Sequence, residues 1–186
     1  MRSSAPSKKL VTLLHQLSLC GPSDFRRCRR HVAQLSRDLP PFDSVWIDSL
    51  LQLGRLSPYQ ARMIEAGQGE SLRVGPCLLI EPLGHGRNAR TFLARHVEGR
   101  ERCVLKVLAS QDEPTDRMVS DVKVTCSRLG RETNRKVVGP HAVQERDGQV
   151  VLVSRFIEGP HLGELMIRRG RFPADVVTEI ACQVIQ

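Results

Sequence analysis

Aromatic residues are scarce in this chain: one tryptophan, one tyrosine and five phenylalanines, 4% of 186 residues. Any core it builds is aliphatic, and few rings are left to stack on nucleic-acid bases. Long apolar runs are also lacking. No stretch approaches the roughly 18 residues that a membrane-spanning helix needs. The six cysteines, Cys20, Cys28, Cys77, Cys103, Cys126 and Cys182, form no C-x-x-C pair. Their number and spacing do not suit a secreted disulfide scaffold, which points to reduced core thiols and a cytoplasmic location. Cys20, Cys28 and His31 have no fourth ligand at a customary spacing, so no metal site is expected.

Acidic residues are outnumbered. There are 28 Lys and Arg against 20 Asp and Glu, a formal net charge of +8. Such a balance admits an anionic partner. The densest cluster is Arg26, Arg27, Arg29, Arg30 and His31. On a helix these surround much of the circumference, leaving Phe25, Cys28, Val32 and Leu35 near one side. A solvated helix face is the plainer reading, because no aromatics interleave with the arginines. Nucleic-acid binding through this helix stays as an alternative.

The first seventy residues read as helical. Leu10, Leu13, Leu14 and Leu17 fall at helical spacing, which favours an amphipathic helix over an export signal despite Leu17-Ser18-Leu19-Cys20. A second helix is expected from a Ser23 cap to about Leu39, before Pro40-Pro41. A third starts at Asp43 or Ser44 and places the lone Trp46 in a core. A fourth starts at Ser57 with Pro58 in its first turn and ends before Gly67.

From Arg73 the period shortens to that of strands: about Val74 to Pro82, Arg90 to His96 and Arg102 to Leu108. Asp116 to Leu129 reads as a helix. Val137 to Gln144 and Val150 to Phe156 read as strands joined at Asp147-Gly148, a strong hairpin signal. Pro173 to Gln186 reads as a helix with an uncovered apolar face, which implies a protein partner or self-association. The fold class is α+β, divided into a helical segment 1–70, a sheet-bearing unit 71–158 and a final stretch 159–186.

The most informative stretch is Leu83 to Leu93, Leu-Gly-His-Gly-Arg-Asn-Ala-Arg-Thr-Phe-Leu, followed by Cys103-Val104-Leu105-Lys106-Val107-Leu108. Glycines let backbone amides approach an anion and can take angles denied to other residues. A lysine among apolar neighbours must escape at an edge or pair with an anion. A glycine loop between two strands, then a lysine on a third, resembles the small lobe of eukaryotic-type protein kinases, closest to the bacterial serine/threonine kinases. In that group a segment like Leu56-Ser57-Pro58-Tyr59-Gln60-Ala61 can precede the kinase domain. The resemblance spans roughly Leu72 to Gln186.

The resemblance implies a five-stranded antiparallel sheet with one helix, then the first helices of the large lobe, and a bound ATP with accompanying magnesium. Leu83, Gly84 and Gly86 would cover the nucleotide, with Ala89 where a third glycine belongs. Thr91 and Val104 would enclose adenine, Val104 narrowing a space that alanine usually leaves. Lys106 would hold the inner phosphates. Asp121 would orient Lys106 from the next helix, with Glu113 and Glu132 as alternatives. Ser154 would gate the back of the pocket, and the backbone of Phe156 and Ile157 would hold adenine.

Neither His-Arg-Asp nor Asp-Phe-Gly occurs in the chain. Asp24-Phe25-Arg26 is the nearest approach and lies before the glycine loop. No catalytic residue is therefore assigned. The expectation is a truncated kinase-like chain that binds ATP but transfers no phosphoryl group alone, or a noncatalytic, pseudokinase-like interaction module. Whether it is a short protein in its own right or a truncated reading frame stays open.

Overall fold

Four helices open the chain in the computed structural model, which describes residues 5–36, 42–86, 89–99, 101–108, 116–130, 136–146 and 149–185. They are α1 (Lys8–Gln16), α2 (Pro22–Leu35), α3 (Asp43–Gln52) and α4 (Pro58–Glu65), with a 3-10 turn at Gly69–Leu72. Ser7 caps α1, accepting from the Leu10 amide at 3.1 Å. Its own amide donates to Asp43 at 2.8 Å, which ties α1 to α3. The second helix starts one residue before the expected Ser23 cap. Gly21 is the N-cap and Pro22 the first helical residue, while Asp24 accepts from the Gly21 amide at 2.9 Å. The α2 helix ends at Leu35, and the expected Pro40-Pro41 stop lies outside the described residues.

Six strands follow: β1 (Arg73–Val74), β2 (Cys77–His85), β3 (Ala89–His96), β4 (Arg102–Leu108), β5 (Pro140–Arg146) and β6 (Gln149–Arg155). They form one antiparallel sheet in the order β1-β2-β3-β4-β6-β5. The sequence leads to five strands. The sixth, β1, is a two-residue edge that folds back on β2 at Gly75, whose φ of 57° suits glycine. The second strand runs past the expected Pro82 to His85, because two register shifts, at Leu79/Glu81 and Pro82/Gly84, let pairing with β3 continue. Between β4 and β5 lies α5 (Asp116–Gly130). After the sheet come α6 (Leu162–Arg169) and α7 (Ala174–Ile185), neither of which buries a residue.

The two faces of the sheet have different covers. On one, Phe92, Ala94, Cys103, Leu105, Val107, Val151 and Val153 are buried and share a continuous core with Leu14, Cys28, Trp46, Leu50 and Leu72 of the helical arm. Tyr59 of α4 meets Phe92 at a ring-centroid distance of 6.0 Å. The other face carries α5, through buried Val119 and Cys126 and an exposed Lys123–Glu145 contact of 3.9 Å. The result is arm, sheet and helix in three layers.

The arm is fastened where α4 begins. The Ser57 hydroxyl accepts from the Gln60 amide at 3.1 Å, and Gln60 Oε1 accepts from the Ser57 amide at 3.0 Å, a capping box. The same two side chains reach the first bulge of β2. The Ser57 hydroxyl donates to the Ile80 carbonyl, and buried Gln60 donates through Nε2 to the Leu79 carbonyl at 2.7 Å. From the sheet side, Arg95 donates to the Ser18 carbonyl at 2.8 Å.

Five cysteines are buried; Cys182, expected in a core, is exposed on α7, a helix that buries no residue among those described. Burial pushes the Cys20 thiol up to about 12, with Asp24 adding to the effect. Burial, then neighbouring Cys77, pushes Cys103 up to about 12 as well.

Two measurements check this packing. Gln60→Ala leaves the Leu79 carbonyl and the Ser57 amide without their partner and is expected to cost about 1–3 kcal/mol in urea unfolding. Raised thiols keep their protons in the folded chain while the unfolded chain loses them above the ordinary value of 9.0, so stability falls as pH rises from 9.0 towards about 12. Cys103→Ala should lower stability overall but flatten that alkaline slope, read from unfolding curves across the same range.

Candidate functional site

Pairing across the sheet brings the glycine loop and the lysine together. Gly84 pairs with Thr91, Thr91 with Lys106, and Lys106 with Leu152. One rung along, Leu93 pairs with Val104 and Val104 with Ser154. Directly opposed residues point to the same side of a sheet. Gly84, Thr91, Val104, Lys106 and Ser154 therefore share one face, opposite the arm. Glu145 pairs with Val150 on that same face, so its contact with Lys123 places α5 there too. The arm covers much of the opposite face, where a cavity of about 280 Å³ remains beside Tyr59, Arg90, Phe92 and Val107.

Lys106 reads in the sequence as buried; the structure exposes it. Neighbours Leu105 and Val107 are buried because alternate residues of β4 face the arm. Lys106 faces the other way, and α5 lies against β5, two strands from β4. The lysine sits on a central strand, not an edge, and forms no ion pair or hydrogen bond among the described residues.

Neither Gly84 nor Gly86 adopts a left-handed backbone, so conformational need does not explain them. What they provide is clearance. A Cβ on Gly84 would meet nothing within 4 Å, and one on Gly86 only the Ala89 carbonyl at 3.9 Å. The Gly86 amide donates to that carbonyl at 2.8 Å and closes the hairpin. Leu83 is the unpaired residue of the second bulge and is exposed. Arg87 and Asn88 lie outside the described residues.

Asp121 does not reach Lys106. It is exposed on α5 and pairs with nothing among the described residues. Helical geometry gives the reason. Val119, Val122 and Cys126 form the inward stripe, and Asp121 lies about 100° from Val122 and about 200° from Val119. No acid stands at those three inward positions. Glu113 and Glu132, the alternatives, lie outside the described residues. Val104 and Ser154 are half-buried side by side, and β6 continues to Arg155, followed by half-buried Phe156 and exposed Ile157. A left-handed Gly159 at φ 132° then redirects the chain.

Asp24-Phe25-Arg26 is the first turn of α2, and Asp24 is bound by Arg55 at 2.9 Å. That carboxylate is a helix cap and ion-pair partner, consistent with its early position in the chain. Sequence reasoning missed the second role of Ser57 and Gln60 on β2, although the Ser-Pro-x-Gln spacing signalled the cap itself.

No protein-family model matches the sequence. Among solved structures, the kinase domain of Mycobacterium tuberculosis PknI is similar, with a TM-score of 0.51 at 19% identity, over 60% of this chain and 46% of that domain. A double mutant of the same domain matches at a TM-score of 0.52 and 20% identity, over 59% of this chain and 44% of that one. The likeness establishes the fold: the chain carries a kinase-type small lobe and spans less than half the length of the domains it matches.

Since Asp121 is exposed and pairs with nothing among the described residues, Asp121→Ala is expected to leave stability within about 0.5 kcal/mol in urea unfolding. A loss of several times that size would reveal a partner the structure does not show.

Proposed function

We propose that this chain binds ATP, with its magnesium, on the open face of the sheet, and does not by itself transfer the phosphoryl group. The carrying observation is the rung Gly84–Thr91–Lys106, which sets a side-chain-free position on β2 and, across β3, an ammonium on β4 that is unpaired among the described residues. In this reading Lys106 draws the phosphates while the Gly84 to Gly86 hairpin lies over them. Leu83, Thr91 and Val104 line the adenine position, Ser154 limits its depth, and the Phe156–Ile157 backbone offers it hydrogen bonds. Transfer needs a general base and metal-holding carboxylates, and the chain contains neither His-Arg-Asp nor Asp-Phe-Gly. The buried free thiols support a reducing, cytoplasmic setting. Among the described residues, no helix is long and apolar enough to cross a membrane.

A second reading rests on α5. With valines and a cysteine on that helix's inward stripe, Lys106 has no carboxylate partner among the described residues, which favours a noncatalytic, pseudokinase-like module that uses the fold to bind another protein. Nucleotide binding separates the two.

Magnesium ATP at about one hundred times its Kd stabilises a single-site binder by about 2.7 kcal/mol. At about 2–4 °C per kcal/mol for a chain of this size, thermal unfolding should rise clearly. Lys106→Ala, at an exposed position, should keep the nucleotide-free melting temperature and lose most of the shift. An absent shift, or one that Lys106→Ala leaves intact, rules out ATP at this site.

A further inference from the structure

Away from the sheet, α1, α2 and α3 border an open cavity of about 450 Å³, lined by none of the residues proposed to hold the nucleotide. Its wall is apolar where Val11, Pro22, Phe25 and Trp46 line it. Phe25 and Trp46 stand 6.1 Å apart between ring centroids, tilted at 58°. The charged residues on its lining are Arg26 and Arg29, with His15 beside them, and no Asp or Glu contributes. Arg26 and Arg29 are one turn apart on α2, so both heads sit on one side of the helix.

Three observations set this cavity apart from a chance hollow. Arg26 and Arg29 are exposed and, among the described residues, make no ion pair or hydrogen bond. Two acids of these helices are already engaged: Asp24 by Arg55 and the Gly21 amide, Asp43 by Ser7. Finally, Trp46 is 1% exposed and its indole N–H is buried without an acceptor. Buried donors are normally satisfied; this one belongs to a side chain that lines the cavity, its nitrogen covered by the protein. A larger groove, about 840 Å³, mixes Lys8 and Lys9 with Asp43, Glu65 and Glu70 and selects no occupant.

We propose that this cavity is a second ligand site, which takes a small amphipathic carboxylate: an apolar chain or ring seated against Phe25 and Trp46, its acid group held by Arg26 and Arg29. The volume lies in the range of small-molecule sites, which combine an apolar lining with a few polar groups that fix orientation. Guanidinium groups suit a carboxylate through paired N–H donors. Cys20 also lines the cavity, and burial keeps it protonated, so it acts as wall and not as nucleophile.

Trp46 is the chain's one tryptophan, so its emission reports on this site alone. Octanoate serves as the probe and octanol as its uncharged counterpart. Octanoate should change Trp46 emission saturably, with octanol much weaker, and added salt should weaken octanoate selectively. The double variant Arg26→Gln, Arg29→Gln should weaken octanoate by at least about tenfold, with the far-UV circular dichroism and melting temperature of the parent. Arg26→Lys with Arg29→Lys should restore part of the affinity. The proposal is overturned if octanoate gives no saturable signal, if octanol matches it, or if the glutamine variant binds as the parent does. Should the glutamine variant misfold, the salt dependence on the unaltered chain decides alone.

Discussion

Two local defects cancel where α4 meets β2, and the layered structure depends on that cancellation. A helix begins with backbone amides that lack intrahelical partners. A bulged strand leaves backbone groups outside the ladder. Buried separately, each is costly. Ser57 and Gln60 answer both, capping the helix with one set of atoms and meeting the Leu79 and Ile80 carbonyls with another. With those bonds made, Leu56 and Ala61 enter the core and Tyr59 reaches Phe92. Each fully buried aliphatic or aromatic side chain then adds about 1.5–3 kcal/mol.

That docking decides which face of the sheet can work chemically. Alternation along β4 sends Cys103, Leu105 and Val107 to the arm and Val104 and Lys106 to the other side. The arm buries Leu105 and Val107, where a charge would need a partner, while Arg90 beyond the arm's cover stays exposed over Phe92. On the open face a charge costs little, and there the lysine stands. The glycines follow the same logic: Gly84 sits on the strand that the arm grips four residues earlier, so the loop extends from an anchored base.

Much of this was legible in the sequence where local chemistry is strong. Ser57-Pro58-Tyr59-Gln60 signals a helix start, and the apolar period of β3, β4 and β6 signals strands. The rung from Gly84 to Lys106 followed from the resemblance, since no spacing argument aligns strands across a sheet. Long-range facts were illegible. Nothing local says that Ser57 bonds a strand 23 residues away, or that β1 forms a sixth strand. Lys106 looked buried because its neighbours are; a single strand cannot reveal whether its second face is covered. Asp121 is different. Its position on α5 relative to Val119, Val122 and Cys126 could be read from helical angles alone, and matching it to a family position overrode that arithmetic.

The inward valines of α5 have a consequence for affinity. A lysine held by a carboxylate is ordered before ligand arrives. Lys106 is exposed and pairs with nothing among the described residues, and a lysine side chain carries about 2 kcal/mol of rotamer entropy. A triphosphate bound on this face must order the lysine itself. Losing all of that freedom would weaken binding by about thirtyfold relative to a pre-ordered site of equal geometry. Electrostatics works in the opposite direction, because among the described residues no carboxylate competes with phosphate for the lysine. The first effect acts on any ligand that engages Lys106, whereas the second grows with ligand charge. On the proposed nucleotide reading, a site of this construction would discriminate by charge more than by shape, and would favour a triphosphate over a nucleoside more strongly than one whose lysine is already paired.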